Sequence, residues 1–270
     1  MSGALFAMGG AVDWQGAAMQ AFYAASGGAD GRMVILPTAS GEPLQAGQTA
    51  AAAFERLGLR TAARILPVQT RQQADEPEYL EAVRWASAIF LTGGNQLRLT
   101  ARLGGTALLA AMQAAHRAGA VVAGTSAGAA ALSALMIAFG RSGNLPRAGM
   151  AQFAPGLGFS DRVIFDQHFR QRNRLGRLLY AVAMHPGVLG VGVDENTAAV
   201  LRDDRLSVVG RHAVTVVDGL SLVSSNVAEI SGQQPLALSG VYLHVLTHGC
   251  TFDVAIRRAV IPNGILSAVD

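Results

Sequence analysis

Val121-Val122-Ala123-Gly124-Thr125-Ser126-Ala127-Gly128, followed by the apolar run from Ala129 to Gly140, decides how the rest of the chain is read. Its first residues, small or β-branched, have the composition of the end of a buried strand. Gly124-Thr125-Ser126-Ala127-Gly128 then fits G-x-S-x-G, the pattern of a serine held at a sharp strand-to-helix corner. The flanking glycines let strand and helix approach each other and leave the hydroxyl projecting from the sheet edge. Good helix formers across residues 129–136 predict a helix directly after the turn. Its N-terminus would aim free N–H groups at the same spot, where they can stabilise an oxyanion. A Gly/Ser-rich turn in a packed core satisfies the same five residues, so the motif gains meaning only from partners elsewhere.

Working outward, Leu5–Met8 reads as a strand ending in Gly9-Gly10, and residues 33–38, 64–68 and 88–91 read as further strands. Residues 14–25, 45–57, 78–85 and 106–118 have helical spacing. This alternation predicts a three-layer α/β fold with a parallel sheet covered on both faces. In such sheets the site lies beyond the carboxyl ends of the strands, where Gly9-Gly10, Gly93-Gly94 and Gly124 would line up. Residues 141–159 show no periodicity and read as a long loop, a wall or lid over that site. A strand over 163–165, a helix from about 171 to 184 and a strand over 191–193 follow. Short runs at 198–201, 206–209, 213–217, 239–246 and 251–257 predict a C-terminal antiparallel β extension.

With 270 residues, 51% of them hydrophobic, the chain can bury a large core without disulfides, as a single α/β domain over 1–270. The formal net charge is +3, and all 21 basic residues are arginine. Arginines dispersed without aromatic interleaving argue against a nucleic-acid platform and suit planar, bidentate binding of carboxylates. One cysteine, Cys250, cannot form an intramolecular disulfide and is compatible with a reducing compartment. The N-terminus lacks a basic stretch and an apolar core of secretory length, which places the protein in the cytoplasm. Residues 118–140 carry no charge and are long enough to cross a bilayer. They are mostly Ala, Gly, Ser and Thr around the serine turn, so a buried strand-turn-helix is expected and no membrane partner.

Three clusters change the weight of Ser126. His168, within Asp166-Gln167-His168-Phe169-Arg170-Gln171-Arg172, sits at a predicted strand-to-helix junction, where a general base can reach a serine on a neighbouring strand end. Asp194-Glu195-Asn196-Thr197 follows a strand that reads as central, and either carboxylate could orient the imidazole. Gly93-Gly94-Asn95-Gln96 offers unobstructed N–H groups that, with that of Ala127, could form an oxyanion hole; Asn95 as a helix cap is the plainer alternative. Helical spacing puts Arg170, Arg174 and Arg177 near one face and Arg172 on the face of His168, which makes Arg172 the best contact for a substrate carboxylate. His244 and His248 lie in a β-like region without a third ligand, so no zinc site is expected.

Together these motifs resemble the cyanophycinases, within the serine peptidase family that also holds aspartyl dipeptidases of peptidase E type. Their order and spacing match over residues 90–200, and the last seventy residues contribute little. The resemblance implies a flavodoxin-like, mostly parallel sheet akin to class I glutamine amidotransferases. It implies an exopeptidase that removes β-Asp-Arg dipeptides from cyanophycin, a polyaspartate carrying arginine on each side chain. It makes Ser126 the nucleophile, His168 the base, Glu195 the acid that orients it, and Gly94 and Ala127 the oxyanion donors. Gln96, Asp166, Gln167, Arg172, Arg174 and Arg177 fall on positions implicated in gripping the substrate. The implied acyl-enzyme chemistry needs neither metal nor organic cofactor, and the family is commonly dimeric, implying a homodimer. An isoaspartyl or Asp-X dipeptidase of the same family is the nearest competing reading, and it would need fewer anchoring groups than the arginine cluster supplies. A non-catalytic binding protein on the same scaffold is the other.

Overall fold

In the computed structural model, which describes residues 2–262, the first half of the chain alternates strand and helix. The order is β1 (Leu5–Met8), α1 (Ala17–Ala25), β2 (Met33–Leu36), α2 (Pro43–Arg56), β3 (Arg64–Ile65), α3 (Pro77–Trp85), β4 (Ala88–Leu91), α4 (Gln96–Leu103), α5 (Ala107–Arg117) and β5 (Val121–Thr125). Pro43 and Pro77 open their helices, where a missing N–H costs nothing. Asn95 and Thr106 cap α4 and α5 by accepting from the N–H groups of Leu97 and Leu109. Helix α4 is absent from the sequence reading because its apolar positions, Leu97, Leu99 and Leu103, fit a strand period as well as a helical one. Strand β3 stops at two residues: it is the edge of the sheet, and Pro67 follows closely.

The second half runs α6 (Ala127–Ala131), β6 (Leu135–Gly140), β7 (Ala151–Pro155), β8 (Val163–Gln167), α7 (Leu175–Met184), β9 (Leu189–Val193), β10 (Thr197–Arg202), β11 (Arg205–Gly210) and β12 (Val214–Asp218). It closes with β13 (Ser224–Ser225), β14 (Leu238–Ser239), β15 (Tyr242–Leu246), β16 (Thr251–Asp253) and β17 (Arg258–Val260).

One nine-stranded sheet has the order β17-β16-β11-β10-β1-β5-β4-β2-β3. Strands β1, β5, β4, β2 and β3 pair in parallel, and the other joins are antiparallel. Alternate residues of the parallel strands point to opposite faces. Phe6, Met8, Met33, Ile35, Phe90 and Ala123 pack with α1 and α2, while Leu5, Val34, Leu36, Ile89, Leu91 and Val122 pack with α3 to α6. A second sheet, β15-β12-β9-β8, lays Phe165, Val191 and Val214 into that latter core. Helix α7 and the β6–β7 hairpin cover its other face through Ile164, Leu178 and Ile137.

Three expectations are corrected. The helix after Ser126 is five residues long rather than spanning 129–136. Ser133 leaves the helix to accept from the N–H of Phe165, and Leu135 onward pairs with β7; tertiary pairing overrides helix propensity there. Within the expected loop 141–159, residues 151–155 are therefore structured as that hairpin partner. Strands β8 and β9 are parallel neighbours but belong to the second sheet, not to the first. The C-terminal strands are antiparallel, as expected, and are shared between the sheets: β10, β11, β16 and β17 widen the large one, while β12 and β15 complete the small one. The charge-free stretch 118–140 is divided among β5, α6 and β6, and among the described residues no helix is long and apolar enough to cross a membrane.

Candidate active site

Ser126 follows β5 with φ 52° and ψ −113°, a left-handed corner that turns the chain straight into α6. Both motif glycines are required by contact. A Cβ on Gly124 would stand 2.3 Å from the carbonyl carbon of Gly128, and one on Gly128 would stand 2.5 Å from the carbonyl oxygen of Leu91. The backbone N–H of Ser126 donates to Met8 O at 3.0 Å, which fixes the corner against β1. Ala127, first in the helix, has an N–H with no acceptor inside the helix.

His168 follows β8, also with positive φ (47°), and its N–H donates to Gly9 O at 2.7 Å. Its Nε2 lies 2.9 Å from Ser126 Oγ, and its Nδ1 lies 2.6 Å from Glu195 Oε1. Three segments far apart in the chain thus bring hydroxyl, imidazole and carboxylate into one hydrogen-bonded line. Asp194 does not take part: it is buried and accepts from the N–H groups of Arg170 and Ala213 at 2.9 and 3.3 Å, holding the turns around the site.

The sequence reading gave Gly9-Gly10 only a place along the site's edge, whereas the structure makes it the bed of the imidazole. A Cβ on Gly10, whose φ is 95°, would fall 2.2 Å from Cε1 of His168. Gly10→Ala is therefore expected to displace the ring and lower kcat about 100-fold, the size of effect a misplacement of about 1 Å produces, measurable by steady-state kinetics. A double glycine directly after the first predicted strand was the available signal.

Burial lowers the pKa of His168 below its ordinary value; the hydrogen bond that its Nδ1–H donates to Glu195 opposes this, and Arg172 and Arg174 reinforce it. The ring is thus neutral and ready to accept a proton near pH 7. Protonation abolishes the base, so kcat/KM is expected to fall as pH drops, with the acid limb centred below 6.5, the ordinary histidine value. A pH–rate profile checks this; a limb well above that value contradicts it.

The polar residues named from the sequence are distributed unevenly. Segment 168–174 is a turn, with Asn173 at φ 50°, so the helical wheel used to sort its arginines does not apply. Arg170 and Arg172 are exposed, whereas Arg174 and Arg177 are buried. Arg177 grips both carboxylate oxygens of buried Asp166, through Nε at 2.7 Å and through Nη2. Arg174 reaches Asp166 at 3.4 Å and Gln167 Oε1 at 2.8 Å, and its buried Nε has no hydrogen-bond partner among the described residues. Burial pushes the pKa of Arg174 down to about 10, with Asp166 holding it up and Arg177 and Arg172 pressing it down. Two guanidiniums against one carboxylate leave an excess positive charge beside the site. Asp166→Ala would strand both, and a loss of about 3–5 kcal/mol is expected for breaking such a buried pair, visible as a lowered Tm.

Gln96 donates to the carbonyls of Ile137 and Ala138 at 3.2 and 2.7 Å, pinning strand β6 beside the site. Of the two glycines after β4, Gly93 adjoins the serine: a Cβ there would lie 3.3 Å from Ser126 Cβ. Gly94, at φ 139°, packs on Ala39 O.

Residues 5–209 match the pattern of Peptidase family S51. A cyanophycinase of Geminocystis herdmanii is 40% identical over 237 residues, covering 87% of each chain. One from Trichormus variabilis is 39% identical over 246 residues, 90% of this chain and 82% of its own. Among solved structures, a peptidase from an acI-B1 Actinobacterium superposes with a TM-score of 0.68 at 25% identity, covering 94% of this chain and 97% of its own.

Proposed function

The chain belongs to peptidase family S51, and from that membership we propose that it hydrolyses cyanophycin, releasing β-Asp-Arg dipeptides. The observation that carries the chemistry is the Ser126–His168–Glu195 line, with separations of 2.9 and 2.6 Å. The substrate is supported by cyanophycinase relatives at about 40% identity over most of the chain.

In the proposed reaction Ser126 Oγ attacks the amide carbonyl while His168 Nε2 takes its proton. Glu195 stabilises the imidazolium. The N–H groups of Ala127 and Gly94 hold the oxyanion, and His168 returns the proton to the leaving amine. Water then hydrolyses the acyl-enzyme by the same route. Exposed Arg172 and the Gln167–Arg174 pair are assigned to substrate carboxylates, whose charge offsets the excess positive charge around Asp166. Asp166, Arg177 and Gln96 shape that wall from behind.

Strands β2 to β5 stand in the 2-1-3-4 order of flavodoxin-like sheets, with N-terminal β1 in the fifth place, which supports that kinship. We read residues 1–270 as one domain because both sheets share a core cluster; Met1 and residues 263–270 lie outside the described residues. We place it in the cytoplasm as a homodimer. Buried Cys250 suits a reducing compartment, and exposed Tyr242, Leu243 and Val245 on edge strand β15 offer a surface to a second copy.

Incubation with purified cyanophycin and, separately, with free isoaspartyl dipeptides tests the reading. Mass spectrometry is expected to find β-Asp-Arg from the polymer. Turnover of the dipeptides alone would make this an isoaspartyl dipeptidase.

A further inference from the structure

A cleft of about 330 Å³ opens on the α1/α2 face of the large sheet, lined among others by Trp14, Glu42, Gln45, Thr49, Gly93 and Thr125. It adjoins the nucleophile, since Thr125 precedes Ser126 and Gly93 is the glycine packed against Ser126 Cβ. The arginine cluster lies on the other face, carried by the turn that follows β8 and by the first turn of α7. Ser126 therefore stands at the sheet edge between a basic wall and this cleft.

No arginine or histidine lines the cleft, and its one charged side chain is Glu42. Among the described residues Glu42 forms no ion pair, and its side chain does not cap α2. Arg98 lies beside Gly41 but outside the lining. Gln45 and Thr49 share the face of α2 with Glu42, at helical spacing. The indole of Trp14 also lines the cleft, wedged edge-on against Phe54 at 6.2 Å and tilted on Phe90 at 5.9 Å, so its orientation is set before any ligand arrives. The N-terminus of α2 carries only roughly half a positive charge, less than the full charge of the glutamate it opposes. A carboxylate and an aromatic ring lining one cleft, together with neutral donors and acceptors, is the chemistry that binds a planar cation.

We propose that this cleft receives the guanidinium of the substrate arginine next to the scissile bond, with Glu42 as its ion-pair partner and Trp14 as its stacking surface. The assignment rests on the cyanophycin reading and adds to it. The carboxylates of the zwitterionic unit go to the basic wall, and the guanidinium goes across the sheet edge into the cleft.

The test uses the full chain and soluble β-Asp-Arg oligomers, beside oligomers bearing citrulline, the neutral isostere of arginine. Wild type is expected to prefer arginine over citrulline by about 10- to 100-fold in kcat/KM, the range for one charge-assisted contact. Glu42→Gln should raise KM for the arginine oligomer by about the same factor, leave kcat within a few-fold and collapse the preference. Gln45→Arg, placing a cation in the cleft, should do likewise, and an unchanged Tm for either variant excludes misfolding. Wild-type turnover of the arginine oligomer with the preference intact in both variants overturns the cleft assignment and leaves the cyanophycin reading standing. Failure of wild type to cleave any arginine oligomer overturns both.

Discussion

Ser126→Ala is expected to lower kcat by on the order of 10⁵- to 10⁶-fold on any substrate the protein turns over, with little change in Tm. The loss is large because the nucleophile and its base act as one unit: without the hydroxyl, His168 has nothing to activate. A small residual rate remains from the oxyanion donors and from binding alone. Folding survives because alanine keeps the Cβ that Ser126 already carries at φ 52°, and the bonds that fix this corner, to Met8 O and from Ala130, come from the backbone. The experiment is steady-state turnover of both proteins with thermal unfolding alongside. A variant that unfolds would leave Ser126 structural, and one that folds and retains activity would remove it from the chemistry.

Glu195→Gln carries the second-largest expected effect, a fall in kcat of about 10⁴-fold, the scale seen when a triad carboxylate becomes an amide. The carboxylate accepts from His168 Nδ1 at 2.6 Å, which leaves Nε2 free to accept the proton of Ser126. A glutamine can present its N–H₂ group instead, favouring the opposite tautomer with Nε2 protonated and useless as a base. The glutamate also holds the His168 pKa up against burial. The residual activity of Glu195→Gln should therefore show an acid limb displaced to still lower pH. Asp194→Asn provides the contrast. Asp194 braces the N–H groups of Arg170 and Ala213, so its loss should appear mainly in stability rather than in the pH profile.

The parallel half of the fold was legible in the sequence because each strand there is a short apolar run punctuated by glycine or proline. Leu5–Met8 and Ala88–Leu91 fall where the reading put them. What the sequence hid was non-local. Nothing in Val163-Ile164-Phe165 or Val191-Gly192-Val193 says which sheet they join, since a buried strand has the same composition in either. Residues 132–136 read as helix because their propensity is local, while the partner that makes Leu135 onward a strand lies beyond a ten-residue connection. Ser126, His168 and the Asp194–Glu195 pair stood out as polar residues at the ends of apolar runs. Spacing alone left Glu195 and Asp194 open and only the resemblance favoured the glutamate, because which of two adjacent side chains faces the imidazole is set by the fold. Trp14 and Glu42 gave no signal at all: a tryptophan at the start of an apolar helix reads as core, and a glutamate beside a proline reads as a solvated helix start.

In the proposed mechanism Ser126 Oγ is the atom that attacks the substrate carbonyl. Peptide mapping after inactivation by an organophosphorus serine reagent tests it most directly. One covalent adduct is expected, on Ser126, formed in step with loss of activity and greatly slowed in His168→Ala. Complete inactivation with Ser126 unmodified, or an adduct on another residue tracking the loss, would contradict it.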